Sequence, residues 1–243
     1  MKTLLAMTTY NQVHYTVKAI RSLKAVDEKF DLVVFDDFSS DRTVPCLMDL
    51  GITVVSSDRP RGLTNSWNLA YKMFLDSRYD ALIIANNDIL VPRGALGELY
   101  NLLGSSQVVV PMTTQLGCGH NAEQSIRIHH PYISESVVNQ PEQYQRVQDS
   151  IRRANPISMK KFNGFFFLMG RNIVKSEYRP GVLFNPLMLN VGNEDDLNAR
   201  LKVRPVLCRT SFLFHFKGVS FFPAISKDKS AKQGRNNLSR VRS

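Results

Sequence analysis

The stretch ALIIANND, residues 81–88, decides the fold. Five apolar residues in a row predict a buried strand, and the polar residues Asn86, Asn87 and Asp88 follow its carboxyl end. The stretches LLAMTTYN (4–11) and LVVFDDFSSD (32–41) repeat this arrangement, and helical patterns separate the three. Such alternation is typical of a parallel sheet joined by crossover helices. We therefore predict a single α/β domain with a mostly parallel central sheet flanked by helices.

The same periodicities place the other elements. Strands are predicted at residues 4–7, 32–35, 52–55, 81–85, 108–110, 165–169 and 206–216. Helices are predicted from residue 13, with Asn11 as the N-cap, at 44–50, after Gly62, at 141–153 and at 194–202. Because the ligand crevice of an open α/β sheet lies at the carboxyl ends of the strands, residues 8–11, 36–37 and 86–88 should converge on one site.

The composition excludes several classes of protein. With 243 residues, 43% hydrophobic and 21% charged, the chain has an ordinary globular composition that indicates neither disorder nor a disulfide scaffold. Its three cysteines are far apart and form no CxxC pair, which favours a reducing compartment. The apolar stretch after Met1 is too short for a signal peptide or a membrane span. We expect a cytoplasmic protein, at most peripheral to a membrane.

The net charge of +10 is unevenly distributed. Residues 226–243 contain six basic residues and one acid, a net charge of +5. This segment has few apolar residues, so we expect a flexible tail after a domain that spans residues 1–225. Either the tail is simply solvated or it contacts anionic lipid or nucleic acid. Residues 112–160 interrupt the regular pattern, and we expect an insertion there that shapes the acceptor side of the crevice.

Six motifs have a family resemblance. They are TTYN (8–11), VVFDDFSSDRT (33–43), ALIIANND (81–88), GFFFLMGRN (164–172), GNEDDLNARL (192–201) and HFKGVS (215–220). In this order they resemble the successive motifs of family 2 glycosyltransferases with the GT-A fold, over residues 3 to about 220. The resemblance implies a Rossmann-like GT-A domain, a nucleotide-sugar donor and a divalent ion, Mn²⁺ or Mg²⁺.

The donor site that the resemblance implies begins at DDFSSD. It gives Asp37 the role of reading a pyrimidine base, with Thr8 and Tyr10 beside it, since a carboxylate can accept from the imide N–H of the base. Arg61 and Lys217 are candidates for neutralising the diphosphate. Asn68 and Asn87 complete the predicted nucleotide-sugar contacts. The alternative is that Asp36 and Asp37 only cap the turn that follows them.

The metal site that the resemblance implies consists of Asn86, Asp88 and His215. Asn86 stands where the family carries the first aspartate of its DxD motif, so Asp88 is the one anionic ligand, in an N-x-D version that resembles that of rhamnosyltransferases. His215 would supply a third ligand. Alternatively, Asp88 caps a helix ahead of Pro92 and His215 is a structural residue. The other predicted loop histidines, which lack partners for a site, are His120, His129 and His130.

Three consecutive acids mark the start of a predicted helix. The resemblance places the general base on Asp195, with Glu194 as the neighbour that could substitute, and we expect Asp196 to be a surface or capping residue. The alternative is that all three acids only complement the helix dipole.

The predicted function is therefore an inverting transfer from a UDP- or TDP-sugar to a hydroxyl acceptor, by default a glycan. Hydroxylated DNA bases are another acceptor that a basic chain permits. A sugar-nucleotide-binding protein without catalysis is the non-enzymatic alternative, because Asn86 alters the metal motif. Nucleotidyl transfer fits less well, because TTYNQ supplies no Gly-rich basic loop after the first strand.

Overall fold

A computed structural model describes residues 1–105, 107–114, 117, 121–126, 141–151 and 154–217. The strands are β1 (Thr3–Thr9), β2 (Asp31–Asp36), β3 (Thr53–Ser56), β4 (Ala81–Asn86), β5 (Ile89–Leu90), β6 (Val108–Thr114), β7 (Ser125–Ile126), β8 (Ile157–Ser158), β9 (Phe166–Gly170), β10 (Val206–Phe212) and β11 (Phe214–His215). The helices are α1 (Val13–Lys24), α2 (Thr43–Asp49), α3 (Leu63–Asp76), α4 (Ala95–Leu102), α5 (Pro141–Ser150) and α6 (Asn193–Arg200).

The main sheet has the order β3-β2-β1-β4-β9-β6-β10-β8. Strands β1 to β4 are mutually parallel, and β9 runs antiparallel to both β4 and β6. Because Phe166 at the start of β9 is paired with Ala85 near the end of β4, the residues that precede β9 lie at the carboxyl edge of the sheet. The predicted α/β architecture with a mostly parallel sheet is confirmed.

The sheet is buried on both faces. Strand β4 shows this, because five consecutive residues are buried although their side chains alternate between the faces. Leu5 and Met7 of β1 belong to a core that includes residues of α1 and α4. Leu4 and Ala6 belong to a second core around Trp67 and Phe74 of α3. Alternate residues of one strand therefore enter opposite cores, and the helices hold the carboxyl ends of the strands in a fixed arrangement.

Two parts of the sequence-based prediction were wrong. The single strand predicted at 206–216 is divided at Leu213 into β10, which pairs with β6, and β11, which pairs with β5. The helix α4 and the short strand β5 were not predicted. Strand β5 has only two residues, and periodicity cannot identify so short an element.

The predicted cap of α1 was also wrong. Asn11 is in the left-handed conformation, and its Oδ1 instead accepts from the backbone N–H groups of Ser40 and Asp41. Asp41 caps the helix, because its Oδ2 accepts from the N–H of Val13 at 3.3 Å. Burial raises the pKa of this carboxyl, but hydrogen bonds from Thr43 and Val13 outweigh that effect and lower the pKa below its ordinary value.

The predicted insertion over residues 112–160 begins within β6 and includes β7, α5 and β8. Residues 127–140 of it, and with them His129 and His130, lie outside the described residues, as does His120. The predicted basic tail also lies outside them. The domain boundary at residue 225 and the acceptor-side role of the insertion therefore stay predictions.

Candidate active site

A cleft of about 870 Å³ opens at the carboxyl ends of β1, β2 and β4. As predicted, it brings together three strand ends that are far apart in the sequence. Its lining residues are Thr8, Thr9, Tyr10, Asp37, Arg59, Pro60, Arg61, Gly62, Leu63, Asn65, Ser66, Asn86, Asn87, Asp88, Leu189 and Asn190. The cleft is therefore an open α/β crevice of the size that small ligands occupy.

Asp88 lines one end of the cleft and contacts His215 behind it. The antiparallel pairing of β5 with β11 places His215 opposite Ile89, and Nε2 of His215 lies 3.3 Å from Oδ1 of Asp88. Both side chains are about 95% buried or more. The imidazole also stacks on Phe165, with 4.6 Å between the ring centroids. Two residues separated by 127 positions are thus held rigidly together.

The ring orientation of His215 determines which atom faces the carboxylate. Its Nδ1 donates a hydrogen bond to the carbonyl of Gly117 at 2.7 Å, so in the neutral ring Nε2 carries a lone pair. Two acceptors that face each other at 3.3 Å repel unless a proton or a metal ion lies between them. A cation between the two atoms would remove this repulsion, so the pair is a candidate cation site.

The side-chain oxygen of Asn86 is a further candidate ligand at this end. Its Oδ1 is buried and has no hydrogen-bond partner among the described residues. Within the same residues, no three His, Cys, Asp or Glu side chains are grouped closely enough to hold a metal ion. A divalent ion here would therefore bind an amide oxygen, a carboxylate and an imidazole, with phosphate or water oxygens as the other ligands. This donor set fits Mn²⁺ or Mg²⁺.

Asn87 lines the cleft, and its side chain also holds neighbouring elements together. Its Nδ2 donates to the hydroxyls of Thr9 and Thr16, at 3.1 Å and 2.9 Å, inside a buried polar cluster. The residue thus links the end of β4 to β1 and α1. Because successive side chains of an extended segment alternate in direction, anchoring Asn87 inward favours Asn86 and Asp88 facing the cleft. The structure thus gives Asn87 a positioning contact, and its predicted contact with the sugar-nucleotide stays a prediction.

Asp37 lies in the cleft as predicted, but its carboxylate already has two partners. Oδ1 accepts from the N–H of Arg61 at 2.7 Å, and Oδ2 accepts from the N–H of Gly62 at 3.0 Å. Burial raises the pKa of Asp37, and these two hydrogen bonds offset part of the rise. Asp37 therefore holds the loop before α3 against the end of β2. Each oxygen keeps a second lone pair for a ligand.

The loop before α3 contributes two cations to the cleft. Arg61, which was predicted, is paired with Asp58 at 2.5 Å, and Arg59 also lines the cleft. Arg59 was not predicted, because a single arginine in a polar loop carries no distinctive pattern. The first N–H groups of α3 already have partners, since Leu63 donates to Asn190 Oδ1 and Thr64 to the carbonyl of Leu189. An anion here would therefore bind the guanidinium groups rather than the helix N-terminus.

The three acids of α6 have different environments. Oε1 of Glu194 accepts from the N–H of Gly164 at 3.2 Å. Burial, and to a smaller extent the charge of Asp195, raises the pKa of Glu194. Asp195 is exposed. Asp196 is buried and paired with Arg200 at 2.6 Å, so the prediction of a surface residue was wrong.

Glu194 lies close to the Asp88 end of the cleft. Gly164, its partner, is followed by Phe165, which stacks on His215 and whose carbonyl accepts from the N–H of Asn86 at 2.8 Å. Strand β9 starts immediately after Gly164 and Phe165, and it pairs with β4, which ends at Asn86. The contact of Glu194 with Gly164 therefore places the start of α6 near the end of β4. Sequence spacing alone did not distinguish Glu194 from Asp195.

Two predicted nucleotide-sugar contacts lie away from the cleft lining. Asn68 is bonded through both amide atoms to the backbone of Phe184, each at 2.9 Å, so it fastens α3 to the segment before α6. Lys217 is exposed and is the last described residue. Its neighbour Phe216 donates to the carbonyl of Asp88 at 2.9 Å. One N–H of Nδ2 and one lone pair of Oδ1 remain, and the nucleotide-sugar contact of Asn68 stays a prediction.

No helix among the described residues combines the length and apolar character needed to cross a bilayer. No curated protein matches the chain significantly. Several solved structures are similar in fold. GalNAc-T7 in complex with UDP, GalNAc and Mn²⁺ has a TM-score of 0.64 at 12% identity, over 88% of this chain and 43% of that one.

Two further structures come from microorganisms. The mannosyltransferase PcManGT from Pyrobaculum calidifontis, with GDP-Man and Mn²⁺, has a TM-score of 0.62 at 15% identity, over 98% of this chain and 64% of that one. TarS 1–349 from S. aureus, with UDP-GlcNAc, has a TM-score of 0.59 at 14% identity, over 88% and 58%. The chain thus spans less than two thirds of each of these proteins.

The family assignment rests on a different comparison. The model of glycosyl transferase family 2 matches residues 5–176, which include most of β1, the Asp37 loop, Asn86 and Asp88. These are the elements that form the cleft. From this match and the shared architecture, the chain belongs to glycosyl transferase family 2 and has the GT-A fold.

Proposed function

We propose that this protein transfers a sugar from a nucleoside-diphosphate sugar to a hydroxyl acceptor, with inversion at the anomeric carbon. The observation that carries the proposal is the composition of one cleft. Arg59 and Arg61 line it together with the cation-binding residues Asn86 and Asp88. A diphosphate needs both positive side chains and a divalent ion. Family membership, and neighbours bound to UDP, UDP-GlcNAc or GDP-Man, support a donor of this class.

The nucleoside would bind beside Thr8, Tyr10 and Asp37. Tyr10 lines the cleft with an aromatic face, and Asp37 retains lone pairs for the imide N–H of uracil or thymine. Because the carboxylate also holds the Arg61 loop, Asp37 would couple base recognition to the position of that arginine.

Asn86, Asp88 and His215 would hold Mn²⁺ or Mg²⁺. Such an ion, when bound, neutralises the charge that develops on a departing diphosphate. The hydrogen bond from His215 to Gly117 would keep the lone pair of Nε2 directed at this site. Arg59 and Arg61, which also line the cleft, would compensate the remaining negative charge.

The acid run of α6 would supply the general base. We favour Glu194 over Asp195, which the sequence had favoured, because Glu194 is in contact with Gly164 next to the metal-motif residues, whereas Asp195 is exposed. A raised pKa also makes Glu194 a stronger base at neutral pH. Glu194 would take the proton of the acceptor hydroxyl while that oxygen attacks the anomeric carbon. The bond from this carbon to the diphosphate then breaks on the opposite face, which inverts the configuration.

The proposed acceptor is a glycan hydroxyl, and a hydroxylated DNA base is the alternative that the net charge of +10 permits. Residues 112–160 would shape the acceptor side, and the basic tail would provide a contact for anionic lipid or nucleic acid. The protein would act in the cytoplasm, at most at the surface of a membrane.

The primary test is a thermal-shift screen with UDP-glucose, TDP-glucose and GDP-mannose, each with Mn²⁺, Mg²⁺ or EDTA. A ligand that binds only the folded state at about 100 times its Kd stabilises that state by about 2.7 kcal/mol. We expect a shift with a UDP- or TDP-sugar that EDTA diminishes. Hydrolysis or transfer must follow, with a product of inverted configuration. Binding without turnover under all acceptor conditions would favour the non-catalytic alternative, and a retained configuration would refute the inverting mechanism.

The base is tested with two matched variants. Glu194→Gln and Asp195→Asn each keep the size of the side chain but cannot accept the proton. We expect Glu194→Gln to lower kcat by about 10² to 10⁴, the usual contribution of general base catalysis, with nearly unchanged donor affinity. Asp195→Asn should have a far smaller effect. The reverse result would assign the base to Asp195.

A further inference from the structure

The segment immediately before α6 forms one wall of the cleft. Asn190 and Leu189 line it, and both hold the first turn of α3. Oδ1 of Asn190 accepts from the N–H of Leu63 at 2.9 Å, and the carbonyl of Leu189 accepts from the N–H of Thr64 at 2.9 Å. Neither residue was singled out in the sequence.

The contact with Leu63 fixes the orientation of the Asn190 amide. With Oδ1 bound to the helix, the amide nitrogen Nδ2 carries two N–H groups that must point elsewhere. Across the described part of the chain, Nδ2 has no hydrogen-bond partner and is not a buried unsatisfied atom. Because Asn190 is half-buried and lines the cleft, Nδ2 is a donor held by the fold and open to a ligand.

The position of Asn190 indicates which part of a donor it meets. On one side it adjoins the arginine loop, since a Cβ added to Gly62 would lie 3.2 Å from its Oδ1. On the other side the chain continues to Asn193, which donates to Thr64 at 3.2 Å, and then to Glu194. In the proposed reaction, the transferred sugar has to lie between the diphosphate and the general base Glu194. Asn190 lines the cleft between the arginine loop and the segment that leads to Glu194.

We propose that Nδ2 of Asn190 donates a hydrogen bond to a hydroxyl of the transferred sugar and so contributes to donor-sugar specificity. This inference rests on the proposed function. A site that hydrogen-bonds a hydroxyl discriminates against sugars that lack it, because the protein group is then left unpaired.

The variant Asn190→Asp separates the ligand contact from the structural one. It keeps the oxygen that accepts from Leu63 and exchanges the N–H donor for an acceptor. The added charge lies at the N-terminus of α3, where it is favourable, so the melting temperature of the free protein should not fall. Asn190→Ser is a neutral second variant that retains a capping hydroxyl.

The measurement is the ratio of the affinities for the sugar-nucleotide and the bare nucleotide, with UDP-glucose and UDP, TDP-glucose and TDP, and GDP-mannose and GDP as probes. The ratio cancels any effect of the new charge on the diphosphate. We expect it to fall about tenfold in both variants, a change equivalent to about 1.4 kcal/mol. An unchanged ratio in variants that still bind nucleotide would overturn this inference alone. If the unaltered protein binds none of the three sugar-nucleotides, the proposed function fails and this inference with it.

Discussion

At the scale of single residues, the cleft is determined by side chains that hold one another in unusual arrangements. Oδ1 of Asp88 and Nε2 of His215 are both acceptors and lie 3.3 Å apart. Both carboxylate oxygens of Asp37 accept hydrogen bonds from backbone N–H groups. Burial of the Glu194 side chain makes its charged form costly and raises its pKa. The facing acceptors of Asp88 and His215 and the buried charge of Glu194 therefore cost folding free energy in the absence of a ligand.

The cation between Asp88 and His215 gives the first prediction. Asp88→Asn removes the one carboxylate of the proposed ligand set, so most activity and its dependence on Mn²⁺ should be lost. Binding of Mn²⁺ to the protein without nucleotide, followed by electron paramagnetic resonance, should weaken as well. Asp80→Asn, at the other end of β4, is a control that should bind Mn²⁺ normally. Full activity of the unaltered protein in EDTA would refute the metal role of Asp88 and His215.

The raised pKa of Glu194 gives a prediction about stability. A group whose pKa is higher in the folded state binds its proton more tightly there, so folding stability falls as pH rises through that pKa. Glu194→Gln removes this loss. The variant should therefore melt at a higher temperature than the unaltered protein at pH 8, and the difference should shrink towards pH 4. A lower melting temperature at pH 8 would mean that the carboxylate stabilises the fold.

At the scale of elements, loops after strand ends carry the backbone strain. The described residues include four non-glycine positions with positive φ, and all follow the carboxyl ends of β1, β2 or β11: Asn11, Gln12, Phe38 and Lys217. Phe38 is also 48% exposed, so packing does not explain its conformation. Strained residues of this kind concentrate at functional sites because the surrounding structure has to hold them.

The segment before β9 gives a prediction at this scale, because it approaches α6 closely. A Cβ at Gly164 would lie 2.6 Å from Cγ and 2.7 Å from Oε1 of Glu194. Gly164→Ala should therefore displace the Glu194 carboxylate and lower kcat at least tenfold, with little change in nucleotide affinity. Gly104→Ala is the matched control, since a Cβ there meets nothing within 4 Å. Equal kcat values for the two variants would indicate that Glu194 is not placed by this contact.

At the scale of the whole molecule, the candidate site residues lie at one edge of the sheet, and half of the net positive charge lies in a separate segment. The residues of the cleft come from positions 8 to 190, whereas half of the net charge of +10 lies in residues 226–243. We therefore expect that catalysis and long-range electrostatic attraction can be separated along the chain.

Removal of the tail tests that separation. Deleting residues 226–243 removes a charge of +5 and no proposed site residue. Donor hydrolysis should persist, while binding to vesicles that contain phosphatidylserine, or to duplex DNA, should weaken and depend less on salt. Salt titrations of binding measure this change. A shortened chain that cannot fold would show that the tail belongs to the domain.

Local patterns in the sequence determined the α/β class, the parallel strands and the convergence of residues 8–10, 37 and 86–88. These features follow from periodicity and from polar residues directly after apolar runs, which neighbouring residues reveal. The sequence also identified the acid run, but not which acid contacts the segment before β9.

Only the tertiary structure decided the direction of individual side chains. The pairing of β11 with β5 brings His215 to Asp88, and the pairing of β9 with β4 brings Gly164 to Glu194. Asn87 and Asn68 are turned to partners 71 and 116 positions away. Contacts of such separation depend on how strands pair and helices pack, and a local pattern carries no record of them.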